Sequence, residues 1–153
     1  MSFRVLGLSP DRFRPFFHMP EATLHQMGAR RVIAEDGMPC RVSLKHAEPG
    51  EELLLINFEH QPANTPYRAT HAIYVRRIAE RAFDAVDFIP EVLASRLLSV
   101  RAFDSNHMMI DADVCDGAHA AELFERLLAD PQTSYLHVHN ARRGCYAARV
   151  ERA

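Results

Sequence analysis

Alternating apolar and polar positions mark several strands in the second half of the chain. Residues 97–103 and 135–139 have the two-residue period of a half-buried β-strand, and residues 108–114 form a further strand candidate. Leu53 to Ile56 is continuously apolar instead, which is typical of a strand buried on both faces near the middle of a sheet. The pattern therefore predicts both half-buried and fully buried strands.

One segment has the spacing of an amphipathic helix. Residues 117–129 carry a single apolar stripe at intervals of three and four positions, and Asp116 stands where a capping residue is expected. Short helices are predicted where Ser9, Pro20 and Pro90 supply residue types that start helices. Additional strands are predicted at residues 3–8, 30–34, 41–44 and 71–75.

These elements predict an α+β fold with a largely antiparallel sheet of about six or seven strands, because strands outnumber helices and several connections are short. The long helix at 117–129 and the short helices are expected to cover one face of that sheet. A length of 153 residues suits a single domain spanning residues 1–153.

Composition narrows the class of protein. Hydrophobic residues make up 48% of the chain and charged residues 25%, as in ordinary globular proteins, and the net charge of −2 provides no basic field for nucleic acid. No apolar run reaches the length of a membrane span, and the first residues lack the apolar core of a signal peptide. We therefore expect a cytoplasmic protein that binds neither nucleic acid nor membranes. The three cysteines are widely spaced without a CxxC pair, which argues against a disulfide framework or a zinc ribbon.

The terminal segment YLHVHNARRGCY, residues 135–146, contains residue types that are found in catalytic and metal-binding sites. A four-residue loop would pair Asn140 with Cys145, whereas a five-residue loop would pair His139 with Cys145. The second register puts Leu136 and Val138 beside the more apolar set of the last strand, and each buried aliphatic group contributes roughly 1.5–3 kcal/mol. This choice predicts one face shared by His137, His139, Cys145 and Arg149.

Three interpretations fit this polar face. It can be the wet side of an antiparallel sheet, with no ligand and with only a structural or interaction role, including a homodimer through a sheet edge. It can be a pocket for a small anionic molecule, in which arginine forks clamp a carboxylate or phosphate. In that pocket Cys145 would be a nucleophile with His139 as its base, and Asn140 would orient the histidine or donate to an oxyanion.

The third interpretation is a divalent-metal site. His137 and His139 point the same way on a strand and could chelate one ion, zinc being the first candidate. Cys145, or His71 or His60 from the segment upstream, could complete a tetrahedral set.

Four blocks of sequence resemble a known family. The blocks GMPCRVSL, PYRATHAIYV, LLSVRAFD and HVHNARRGCYAARVER, in this order, resemble the bacterial domain-of-unknown-function family 1203. The resemblance covers nearly the whole chain and implies a compact bacterial protein that forms a single stand-alone domain. It brings no activity or cofactor, but the blocks contain most of the polar residues considered above.

The working hypothesis is therefore a small-anion pocket on the polar sheet face, completed by the segment 60–68, that either binds or transforms its ligand. His139 and Cys145 form the candidate catalytic pair. The candidate ligand-binding residues are Arg41, Arg68, His71, Arg101, His137, Asn140 and Arg149.

Overall fold

A computed structural model describes residues 2–153 as an α+β fold with nine strands, three α-helices and three short 3-10 segments. None of the helices within residues 2–153 combines the length and apolar character needed to cross a membrane. The strands are β1 Phe3–Leu6, β2 Ala29–Ile33, β3 Glu52–Gln61, β4 Ala69–Arg76, β5 Asp84–Val86, β6 Leu97–Phe103, β7 Met109–Asp116, β8 Tyr135–Asn140 and β9 Tyr146–Arg152. The α-helices are α1 Glu21–Gln26, α2 Glu91–Ala94 and α3 Ala120–Ala129.

The strands form two sheets, where the sequence predicted one. The larger sheet has six strands in the order β5-β1-β9-β8-β6-β7, and every neighbouring pair is antiparallel. The smaller sheet has three strands in the order β2-β3-β4, also antiparallel. The antiparallel α+β class is confirmed, but the single sheet is corrected because, among the strands of residues 2–153, β2, β3 and β4 form ladders only with one another.

The continuously apolar segment Leu53 to Ile56 lies in β3, the middle strand of the smaller sheet. Its side chains pack on two different apolar clusters, since Leu54 and Ile56 join one and Leu53 joins another. A strand with apolar contacts on both faces needs no polar alternation, so the prediction of a doubly buried central strand is confirmed.

The predicted helical stripe packs on one face of the larger sheet. Residues 117–119 form a 3-10 turn capped by the side chain of Asp116, and α3 continues from Ala120. A Cβ at Gly117 would lie 1.9 Å from the carbonyl oxygen of Leu93, so only glycine lets the helix start this close to α2. The buried side chains of α3 pack on alternate residues of the central strands, namely Leu98, Val100, Ala102, Leu136, Val138, Ala148 and Val150.

The segment 41–44 forms a turn, so the strand predicted there is wrong. Arg41, Val42 and Leu44 are all buried, which no half-buried strand pattern allows, and Leu44 has a φ of 49°. The turn is held by isolated bridges at its ends, Pro39 with His46 and Cys40 with Tyr74. It therefore lies between the two sheets and contributes to the interior.

Candidate metal centre

Four histidines meet where the smaller sheet covers the polar face of the larger one. His137 and His139 project from β8 on the side opposite α3, and they are only 3% and 1% exposed. His60 lies at the end of β3 and is 9% exposed, whereas His71 on β4 is half-buried. We call these four residues the histidine cluster. The face that the sequence predicted as polar is therefore largely buried.

A β-bulge places His60 in the cluster. The β3–β4 register shifts between Glu59, which opposes Thr70, and Gln61, which opposes Ala69, so His60 has no directly opposite partner. An extra residue of this kind bends the strand and redirects its side chain. The His60 ring consequently stacks on His71, with centroids 4.8 Å apart, and on Tyr146, with centroids 5.1 Å apart.

Three of the four histidines have nitrogens close enough to bind one ion. One ring nitrogen each of His60, His71 and His139 lies within 4.8 Å of the others, and His60 Nε2 is 2.7 Å from His71 Nδ1. With zinc–nitrogen bonds of about 2.0–2.1 Å, two ligands of a tetrahedral ion lie about 3.4 Å apart. The observed spacings bracket that value, so small side-chain movements suffice to bring all three nitrogens to one ion.

The tautomer of His139 is fixed by the backbone. Its Nδ1 lies 2.9 Å from the carbonyl oxygen of Gly144, which can only accept a hydrogen bond. Nδ1 therefore carries the proton in the neutral ring, and Nε2 presents its lone pair to the cluster. Metal-binding histidines are commonly oriented by such a bond from the other ring nitrogen.

Burial keeps the cluster uncharged. Desolvation lowers the pKa of His60 to about 4, of His139 to about 3 and of His137 to about 2, and it also lowers the pKa of His71. Desolvation is the largest cause of these pKa values, and the neighbouring Arg101 guanidinium and the other imidazoles contribute to them. Neutral imidazoles are the form that binds metals, so the cluster is deprotonated and ready at neutral pH.

Two buried nitrogens of the histidine cluster lack a hydrogen-bond partner in the described part of the chain. His60 Nδ1 and His137 Nδ1 have no hydrogen-bond partner among residues 2–153. Buried polar atoms are usually paired, so each unpaired one calls for an explanation, such as an ion, a ligand or a water molecule. These two nitrogens are therefore compatible with a further group bound at the cluster.

Aromatic and amide side chains surround the histidines. Tyr146 packs edge-on against His137 and His139, and burial raises its pKa. Tyr135 contacts His137, and its hydroxyl accepts a hydrogen bond from Gln61 Nε2 at 2.9 Å. Neither tyrosine nor Gln61 is predicted by the sequence as part of the site. The register preferred from the sequence places Tyr146 with the apolar set of the last strand, and no local signal distinguishes its true position.

The terminal hairpin combines both registers that the sequence offered. Near the turn, the Asn140 amide donates to the Cys145 carbonyl at 2.9 Å, as in the four-residue loop. Farther along, Val138 opposes Ala148 and His137 opposes Arg149. These pairs put the same residues on each face as the preferred register does. A bulge at Ala147 joins the two, because His139 opposes Tyr146. The predicted sharing of a face by His137, His139 and Arg149 is therefore correct.

The predicted pairing of His139 with Cys145 is wrong. The bulge turns Tyr146 toward the histidines and leaves Cys145 on the side of Asn140, where Sγ lies 3.1 Å from Arg41 Nη2 and 3.5 Å from Asn140 Nδ2. The proposed nucleophile and base are thus on different faces of the hairpin. The metal set containing His137, His139 and Cys145 loses its sulfur ligand for the same reason.

Arg41, Asn140 and Cys145 form a second polar group, which we call the Arg41 node. Arg41 is 3% exposed and donates from Nε to the Tyr146 carbonyl at 2.8 Å and from Nη1 to the Pro39 carbonyl at 2.7 Å. Asn140 lines a cavity of about 10 Å³ beside this group, which has room for one water molecule. Arg41 is occupied by the backbone and is not placed to clamp a ligand in the histidine cluster.

The other arginines differ in exposure and in whether a carboxylate already pairs with them. Arg68 is exposed and paired with Glu59 at 2.8 Å, and Arg149 is paired with Glu151 at 2.6 Å while lying over the Tyr135 ring. Arg101 is half-buried, and its Nη1 lies 3.5 Å from His139 Nε2. The structure therefore brings His71, Arg101, His137 and His139 together, with Arg149 beside them, and leaves Arg68 outside the cluster.

The comparisons with known proteins add a family but no activity. Neither the search of curated proteins nor that of solved structures found a significant match. A family model described as "Protein of unknown function (DUF1203)" matches residues 37–152, which include every member of the histidine cluster and of the Arg41 node. The chain therefore belongs to the DUF1203 family, as the four sequence blocks indicated.

Proposed function

We propose that this protein binds one divalent transition-metal ion, with zinc as the first candidate, through His60, His71 and His139. The observation that carries the proposal is the convergence of three ring nitrogens within 4.8 Å in a largely buried site. His137 is not part of that set and supports it by packing against Tyr146 and Tyr135.

The donor set favours zinc and neighbouring transition metals over calcium or magnesium. Imidazole nitrogen suits zinc, copper, iron and nickel, whereas the alkaline-earth ions take oxygen ligands. The Gly144 carbonyl orients His139 and the bulge orients His60, so two of the three ligands are positioned before any ion arrives. Such preorganisation is typical of genuine metal sites.

Three protein ligands leave a coordination position for an exogenous group. Structural zinc sites have four protein ligands, whereas catalytic sites have three and keep the fourth for water or substrate. The partly exposed His71 lies on the open side of the cluster, so an exogenous ligand can reach the ion from solvent. The proposed centre is therefore of the kind that activates a bound water or ligand.

The test is metal binding by purified protein and by a ligand variant. Elemental analysis of the protein, followed by chelator treatment and competitive zinc titration, is expected to give one ion per chain. His71→Ala is the best variant because this histidine is half-buried and its removal leaves the core intact. Its zinc affinity is expected to fall by more than the roughly 10–100-fold typical of outer-sphere partners.

The matched control is His25→Ala, which removes an exposed histidine on α1. This variant is expected to bind zinc as the wild type does. Zinc at 100 times its dissociation constant is also expected to stabilise the wild type by about 2.7 kcal/mol in thermal unfolding. Absence of saturable binding in the wild type, or wild-type affinity in His71→Ala, would overturn the proposal.

A further inference from the structure

Arg101 is a cation beside the proposed metal position with no carboxylate of its own. Its Nη1 is 3.5 Å from His139 Nε2, the atom whose lone pair faces the cluster. Within residues 2–153 it takes part in no ion pair, although it is half-buried. Arginines in such environments are normally paired, since burying an unpaired charge is unfavourable.

The location of Arg101 makes this unpaired charge significant. An ion bound to His139 Nε2 at about 2.0–2.1 Å would lie within about 6 Å of the guanidinium. A dication and a guanidinium so close repel each other unless an anion lies between them. The charged groups that shift the pKa values of the four histidines include Arg101 and Arg149, and within residues 2–153 they include no carboxylate.

We propose that the open coordination position takes a small oxyanion, a carboxylate or a phosphate, that binds the metal through one oxygen and Arg101 through another. This inference rests on the proposed metal site and names the class of its ligand. The planar fork of arginine matches two oxygens of such groups, which lysine does not. His71 and Arg101 are both half-buried, and Arg101 lies close enough to His71 to lower its pKa, so the anion enters between them.

The other arginines predicted from the sequence as ligand-binding residues do not offer this site. Arg149 is neutralised by Glu151, Arg68 by Glu59, and Arg41 is engaged by two carbonyls and the Cys145 sulfur. Arg101 is therefore the residue that distinguishes an anion-binding metal centre from a metal centre alone.

The experiment uses the cobalt(II)-loaded full-length protein, because the visible absorption of cobalt reports its coordination. Acetate and inorganic phosphate are titrated separately, and at least one is expected to change the spectrum saturably. In Arg101→Gln the concentration for half-maximal change is expected to rise roughly 10- to 100-fold, the range for one charge-assisted hydrogen bond. Cobalt affinity itself is expected to stay equal or to increase, because a repelling charge is lost.

Arg101→Lys retains the charge without the fork and is expected to restore part of the anion affinity. Arg68→Gln, which removes an exposed and already paired arginine, is the matched control and is expected to behave as the wild type. Comparison of acetate with phosphate shows which oxyanion shape the site accepts.

The outcomes separate the two proposals. If the wild type binds no cobalt, the metal site fails, and the oxyanion site fails with it. If cobalt binds but neither anion changes the spectrum, or if Arg101→Gln and Arg101→Lys both respond as the wild type does, the metal site stands and the oxyanion inference is overturned.

Discussion

The two faces of the terminal hairpin carry two polar groups of different chemistry. The histidine cluster lies on the face turned toward the smaller sheet, and the Arg41 node lies on the other. Both are buried, and both contain side chains common in active sites. They differ in residue type and in how far their arginine is engaged by hydrogen bonds.

In the Arg41 node, each guanidinium nitrogen has a partner, namely two backbone carbonyls and the sulfur of Cys145, although Asn140 Oδ1 has none within residues 2–153. In the histidine cluster, His60 Nδ1 and His137 Nδ1 have no partner within residues 2–153, and Arg101 contacts only an imidazole through a long 3.5 Å bond. A buried cation whose donors are all engaged is held by the fold, whereas one without strong partners retains capacity to bind. This difference between Arg41 and Arg101 supports the roles that we propose, structural for the node and ligand-binding for the cluster.

The largest expected effect is acid destabilisation of the metal-free protein. The pKa values of His60, His137 and His139 are lowered in the folded state from 6.5, so the unfolded chain binds more protons once the pH falls below that value. Their contribution to stability is complete above pH 6.5 and falls as the pH is lowered, for each histidine down to its folded-state pKa of about 4, 3 or 2, at up to about 1.4 kcal/mol per pH unit. Urea unfolding from pH 7 to pH 4.5 measures this loss.

His139→Asn removes one titrating ring and is expected to flatten the pH dependence of unfolding. His25→Ala, which changes an exposed histidine, is expected to retain the wild-type slope. A wild-type free energy of unfolding that stays constant from pH 7 to pH 5 would contradict buried neutral histidines.

The second effect tests the Arg41 node. Arg41→Met is expected to lower the free energy of unfolding by roughly 2–5 kcal/mol, because the carbonyls of Pro39 and Tyr146 lose their buried donor. Zinc affinity of the folded variant is expected to be unchanged, since Arg41 contacts none of the three proposed ligands. Chemical denaturation and zinc titration of the same sample separate the two quantities. Unchanged stability with weakened zinc binding would reverse the roles assigned to the two groups.

The smallest effect concerns the thiol. Cys145→Ala removes two contacts to sulfur, at 3.1 and 3.5 Å, and is expected to cost about 1 kcal/mol of stability. Zinc affinity and stoichiometry are expected to match those of the wild type. Loss of zinc binding in this variant would contradict the proposed ligands. It would show that Cys145 binds the ion together with histidines, which the hairpin register excludes.

Much of the fold is encoded in local periodicity. The strand at Leu97–Phe103 was predicted with its observed bounds, and the apolar stripe on α3 identified the helix that covers the larger sheet. Periodicity reports which side of an element is buried, so these elements are readable from sequence. It does not report pairing partners, which is why the division into two sheets and the short strand Asp84–Val86 were missed.

The candidate site was only partly predictable because it depends on two bulges. Alternation correctly placed His137 and His139 together, and His60 and His71 were recognised as possible ligands. The bulge at His60 and that at Ala147 each shift a side chain to the other face, and neither has a sequence signal as clear as a turn glycine. A bulge therefore changed the partner of His139 from Cys145 to Tyr146.

The proposed ligands come from both sheets, with His60 and His71 on the smaller and His139 on the larger. A bound ion would therefore act as a removable cross-link between segments that are distant along the chain. Chelation would leave the end of the β3–β4 hairpin held to the larger sheet by weaker contacts, such as the Gln61–Tyr135 hydrogen bond. The strength of the coupling between the two sheets would then vary with metal supply.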